Sequence, residues 1–151
     1  GENVGLLSEA GLPCIADPGS KIVEYAHNFQ IEVIPLVGPS SILLALMASG
    51  MNGQNFSFTG YLPIDKKERI RAIKSLEDLI KKTGQTQIFM ETPYRNHQLI
   101  DTLKIQCNKK TKLCIAANIT SSNEFIQTKT IEEWKHTKVD IHKQPTIFLL
   151  S

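Results

Sequence analysis

No helix or strand can run through the stretch Leu7-Ser8-Glu9-Ala10-Gly11-Leu12-Pro13-Cys14-Ile15-Ala16-Asp17-Pro18-Gly19-Ser20, because two prolines and two glycines follow one another closely in it. Before it lies Val4-Gly5-Leu6-Leu7, which reads as a short buried strand. After it Ile22, Val23, Ala26 and Phe29 recur at helical spacing, which predicts a helix over about residues 20–29 with Ser20 as its N-cap. A loop between the carboxyl end of a strand and a helix N-terminus is where open α/β folds place small polar ligands. Asp17 supplies a carboxylate there, beside free backbone N–H groups.

The pattern then repeats. Ile31-Glu32-Val33-Ile34-Pro35-Leu36-Val37 reads as a second buried strand, which completes a predicted β-α-β unit. Gly38-Pro39-Ser40-Ser41 is a second strand-to-helix junction, followed by the all-apolar helix Ile42 to Ala48, closed by Gly50. Parallel strands joined by one helix are usually neighbours, so the two loops are expected side by side in one crevice. Ser40 and Ser41 are equally what a helix start needs with no ligand present. A buried parallel strand also requires neighbours, and nothing before residues 1–8 supplies them, so the chain reads as a fragment.

At Met51-Asn52-Gly53-Gln54-Asn55 the solid apolar runs give way to the alternation Phe56-Ser57-Phe58-Thr59-Gly60-Tyr61. This predicts a boundary between residues 1–54, the end of an N-terminal α/β domain, and residues 55–151, a C-terminal α/β domain. Asp65 and Glu68 have capping-box spacing before a helix of about residues 66–82. Its apolar face is Ile70, Ile73, Leu76 and Ile80, and its other face carries Lys66, Lys67, Arg69, Arg71, Lys74, Lys81 and Lys82. Such a face is either plainly solvated or an RNA contact. Strands follow at Gln87 to Glu91, Leu113 to Asn118, Glu124 to Thr128 and Gln144 to Leu150, with a helix after Thr92-Pro93 and a short one at Thr130 to Trp134. On pattern alone Met90 is core packing, and Glu91 is a carboxylate favoured by the helix dipole that follows.

Composition narrows the class. The 151 residues are 41% hydrophobic and 21% charged, an ordinary globular balance. No apolar run approaches the roughly 18 residues of a membrane span, and Gly1-Glu2-Asn3 does not begin like a signal peptide, so a soluble cytoplasmic protein without membrane contact is expected. Cys14, Cys107 and Cys114 suggest neither a disulfide framework nor zinc, and the four histidines have no metal-ligand spacing, so no metal is expected. A net charge of +2 does not by itself imply nucleic acid.

Ser8 to Ser20, written S-E-A-G-x-P-x-I-A-D-P-G-S, resembles the S-D-A-G-x-P-x-I-S-D-P-G signature of the small-subunit ribosomal RNA ribose 2′-O-methyltransferase I family, in the tetrapyrrole methylase superfamily. Val37-Gly38-Pro39-Ser40-Ser41 resembles its P-G-P-S-A, and Phe89-Met90-Glu91-Thr92-Pro93-Tyr94-Arg95 its F-Y-E-S-P-x-R. The chain departs from the family where A-R-E-L-T-K becomes Ala116-Ala117-Asn118-Ile119-Thr120-Ser121, and the family's opening strand and its loop are missing. The resemblance implies a two-domain tetrapyrrole-methylase-like α/β fold with the N-terminal domain only partly present. It implies S-adenosylmethionine as cofactor, held by Ile15, Ala16, Asp17, Ser20, Ser40, Ser41, Met90, Glu91, Ile119 and Pro145. It implies ribosomal RNA or the small ribosomal subunit as substrate, with Glu91 as candidate base and Tyr94 and Arg95 holding the substrate, in a homodimer. A tetrapyrrole methylase, or a non-catalytic cofactor-binding or dimerisation module, is the alternative. The fragment alone is expected to be inactive.

Overall fold

The computed structural model describes residues 1–151, which divide into two compact units, Gly1–Ser41 and Ile42–Ser151. In the first unit the one regular element is helix α1, Ser20–Asn28. The predicted strands at Val4 to Leu7 and Ile31 to Val37 do not form, so the β-α-β unit is absent. The reason is a missing ladder: strands of this all-apolar kind are stable when neighbours pair both edges and cover both faces, and these segments pair with nothing. Leu7 is 90% exposed, and α1 buries none of its residues. Ser20 is the first helical residue rather than the cap; Gly19 holds the N-cap position, with no side-chain cap bond.

The second unit has a mixed sheet of five strands, β1 (Phe56–Tyr61), β2 (Thr86–Met90), β3 (Lys112–Ala117), β4 (Phe125–Thr130) and β5 (Thr146–Leu150). Their spatial order is β1-β2-β5-β3-β4; β1 and β2 run parallel and the remaining pairs antiparallel. Alternation along the strands sends side chains to opposite faces. On one face Phe89, Leu113, Ile115, Phe148 and Leu150 pack against helices α3 (Lys66–Thr83), α4 (Asn96–Gln106) and α5 (Ile131–Lys135). On the other, Ile88, Cys114, Ala116, Ile147 and Leu149 pack against Ile42, Ala45 and Leu46 of α2 (Ser41–Ser49). Helix α2 is therefore not buried all round: those residues form the inward stripe, while Leu43 and Met47 are exposed.

Local signals set the helix ends. Asp65 Oδ1 accepts from the N–H groups of Lys67 (2.9 Å) and Glu68 (3.0 Å), and Gly84 closes α3 in the left-handed region at φ 65°. Thr130 and Glu133 form a reciprocal capping box at α5. Arg69 departs from the basic outer face assigned to it: it is only 1% exposed, with Nη1 3.4 Å from the Ile64 carbonyl and Nε without a partner. The position falls on the core side of α3, one residue before Ile70. No helix is long and apolar enough to cross a membrane.

Candidate functional site

In the first unit the loop before α1 is held in unusual backbone conformations. Cys14 (φ 67°) and Ala16 (φ 55°) lie in the left-handed region, which costs a residue other than glycine or asparagine on the order of 1 kcal/mol or more. Gly19 is needed for contact, because a Cβ there would stand 2.7 Å from Leu6 Cδ2 and 2.9 Å from Cys14 Sγ. The second loop meets the first in the same way: a Cβ on Gly38 would stand 2.7 Å from Leu12 Cδ2. Ile15, Ala16 and Ser20 are exposed, Asp17 is half-buried, Ser40 is buried and Ser41 is exposed at the start of α2. With no side-chain cap on α1, the Ser20 and Lys21 N–H groups of its first turn have no partner, while the Ile22 N–H donates to the Gly19 carbonyl at 2.9 Å.

In the second unit the sheet brings four of the expected residues to one end. Met90 is the last residue of β2 and registers with Ile147 near the start of β5; Ala117, the last of β3, registers with Thr146. The Asn118 N–H donates to the Pro145 carbonyl at 2.9 Å, so Ile119 and Pro145 lie on adjoining turns. Met90 and Ile119 both pack on the α2 face. Ile119 also borders a shallow recess with Leu44, Met47 and Ala48 of α2. The side-chain amide nitrogen of the neighbouring Asn118 is buried without a hydrogen-bond partner, a donor that sequence reasoning did not single out.

Glu91 follows Met90 and is turned the other way. Its Oε1 accepts from the Thr92 N–H (2.7 Å) and from Nε (3.0 Å) and Nη2 (2.6 Å) of Arg95. The Glu91 side chain has no exposed surface, and its Oε2 is without a partner. A charge-assisted contact of this kind fixes the Thr92-Pro93 turn and the single 3₁₀ turn Pro93–Arg95 after it. The turn is bolted down again by Asn96, fully buried, whose Nδ2 donates to the carbonyls of Ile141 (3.0 Å) and Gln144 (2.8 Å) and lies 3.2 Å from Thr146 Oγ1. Asn96 was not anticipated either. Its sequence signal, a polar residue opening an apolar helix, is shared with ordinary caps.

The mixed sheet covered by helices, with Glu91 Oε2, Asn96 Oδ1 and Asn118 Nδ2 unpartnered near one end, places the chain among α/β proteins. Residues 1–135 match the family described as Tetrapyrrole (Corrin/Porphyrin) Methylases, and the chain belongs to that family. It is 37% identical over 137 residues to the ribosomal RNA small subunit methyltransferase I of Halalkalibacterium halodurans, covering 90% of this chain and 45% of that protein. The protein of the same name from Vibrio cholerae is 35% identical over 133 residues, 88% of this chain and 45% of the relative. The chain thus spans about half the length of these relatives. Among solved structures it is similar to the methyltransferase CobJ, with a TM-score of 0.59 at 17% identity over 93% of this chain and 61% of that one. It is also similar to a uroporphyrin-III C-methyl transferase from Thermus thermophilus complexed with S-adenyl homocysteine, with a TM-score of 0.50 at 15% identity over 93% of this chain and 62% of that one. At such identities the likeness shows the fold, and it is the tetrapyrrole-methylase α/β fold expected from the sequence motifs.

Proposed function

We propose that this chain belongs to an S-adenosylmethionine-dependent methyltransferase whose acceptor is a ribose 2′-hydroxyl of small-subunit ribosomal RNA. One observation carries the reading: Met90, Glu91, Ile119 and Pro145 gather at one sheet end in a chain 37% identical to a ribosomal RNA small subunit methyltransferase I. The residues suit the cofactor. In the second unit Met90 and Ile119 offer an apolar wall and the buried Asn118 amide is a donor still in need of an acceptor. In the first unit, taken by itself, the exposed loop of Ile15 to Ser20 offers backbone N–H groups, and Ser40 and Ser41 carry hydroxyls. Bound S-adenosylmethionine supplies an electrophilic methyl group on a sulfonium. The protein then has to orient the acceptor oxygen in line, which can supply several kcal/mol, up to about 7–11 in the best cases.

Tyr94 and Arg95 are the substrate-side residues of this proposal. Glu91 can accept a proton only through Oε2, which the closed turn keeps from solvent; the geometry favours a positioning role exerted through Arg95. The division into residues 1–54 and 55–151, a homodimer and a cytoplasmic location complete the proposal. Exposed Leu43 and Met47 on α2 suit burial against another surface. The test is transfer of a tritiated methyl group to small ribosomal subunits lacking the modification. The intact protein containing this chain is expected to label ribose. Absence of labelling contradicts the reading.

A further inference from the structure

Beside the candidate site, the start of α4 and the loop that leads into β5 meet in a cluster of aromatic and cationic side chains. Tyr94 is 72% exposed, so its ring is presented to solvent and not packed in the core. Lys143 Nζ stands 5.7 Å from the centre of the Tyr94 ring, and the Lys143 N–H donates to the Pro93 carbonyl at 3.2 Å. Lys143 is held in the left-handed region at φ 59°, a conformation that disfavours its side chain and that the surrounding contacts must maintain. Next to it His97 and His142 meet edge to face with ring centres 6.0 Å apart. Asp140 tethers both elements, lying 3.2 Å from His97 Nε2 and accepting from the His142 N–H at 3.1 Å. The buried Asn96 donates to the Ile141 and Gln144 carbonyls of the same loop, which ties its backbone down beneath the cluster.

We infer that Tyr94 and Lys143 form a stacking platform for an unpaired base of RNA, with the histidine pair and Lys143 set to meet flanking phosphates. The inference rests on the proposed ribosomal RNA substrate and adds the residues that would present it. Unpaired bases are recognised by stacking on aromatic rings beside cations, and every base has a face to stack. The position is apt: Tyr94 follows Glu91 by three residues and Lys143 precedes Pro145 by two, so the platform flanks the sheet end where the candidate cofactor residues gather. Asp140 also borders a recess lined by Lys104, Lys135 and Lys138, whose net positive charge would favour an extended polyanion.

The test is the affinity of the chain for a short single-stranded RNA oligonucleotide across a range of salt, with Tyr94→Phe, Tyr94→Ala and Lys143→Gln variants and an abasic oligonucleotide of equal length. Tyr94→Ala is expected to weaken binding by about tenfold or more, Tyr94→Phe to retain it, and the abasic probe to abolish the difference between them. Lys143→Gln is expected to reduce the slope of log K against log salt by about 0.7. Unchanged fluorescence of the single buried Trp134 verifies that the variants are folded. Equal RNA affinity for Tyr94→Ala and the unaltered chain overturns the platform and leaves the methyltransferase reading intact. An unaltered chain that binds no RNA also overturns the platform, and methyl transfer to ribosomal subunits then decides separately whether the broader reading falls with it.

Discussion

Glu91, the base suggested by the family motif, lies inside a closed turn. Its carboxylate is enclosed and shared between a guanidinium and a backbone N–H, so it resembles a strut more than an exposed base. Glu91→Gln is expected to lower stability by about 1–3 kcal/mol in urea titrations, a figure already discounted because Arg95 is 25% exposed. Should Glu91 be the base, the variant would instead keep its stability and lose methyl transfer in the intact protein. Arg69 is the opposite case, a buried cation with no carboxylate within ion-pair distance, so Arg69→Met is expected to raise the urea midpoint by about 1 kcal/mol equivalent without changing the slope. Burial, with the charge of Glu77 as a smaller cause, pushes the Cys107 thiol up to about 12. A raised pKa favours the neutral thiol in the folded state, so the contribution to stability is full below the ordinary thiol range and is lost as pH rises from about 9 towards 12. In the native chain near neutral pH, iodoacetamide is accordingly expected to label Cys14 alone, with Cys107 and Cys114 reacting only after denaturation.

Among the elements, those of the second unit were legible because each carries its own punctuation: Asp65 and Gly84 bracket α3, and Thr130 and Glu133 open α5. Asp65→Ala is expected to cost about 1 kcal/mol in thermal unfolding followed by Trp134 fluorescence, since two N–H groups lose their acceptor. The strands of the first unit were misread because apolar content identifies a segment suited to a sheet without providing the sheet. Val4 to Leu7 and Ile31 to Val37 have the composition and lack the partners. The motif loops beside them were legible for a different reason. Their glycines and prolines dictate backbone shape locally, and the close approaches at Gly19 and Gly38 need no ladder. What no sequence pattern carried was the long-range joinery, such as Asn96 reaching residues 141–146 or Lys143 arriving over Tyr94. Contacts at that separation depend on the register β2-β5-β3, which periodicity cannot supply.

At the scale of the molecule, the second unit is a finished three-layer body, with helices α3 to α5 on one side of the sheet and α2 on the other. The first unit contributes loops with no ladder beneath them, in a chain spanning about half of its relatives' length. A methyl acceptor misplaced by about 1 Å can lose on the order of a hundredfold in rate, so the 151-residue chain alone is expected to show no turnover. Sedimentation of the intact protein is expected to show a dimer, and a monomer at micromolar concentration would contradict that part of the account. The central claim is ribose methylation of ribosomal RNA, and it is tested most directly by tritiated methyl transfer to small subunits lacking the modification, followed by digestion to nucleosides. The account predicts label in a 2′-O-methylated nucleoside with the intact protein and none with the chain alone. Label on a base, or an intact protein that leaves the subunits unlabelled, would contradict it.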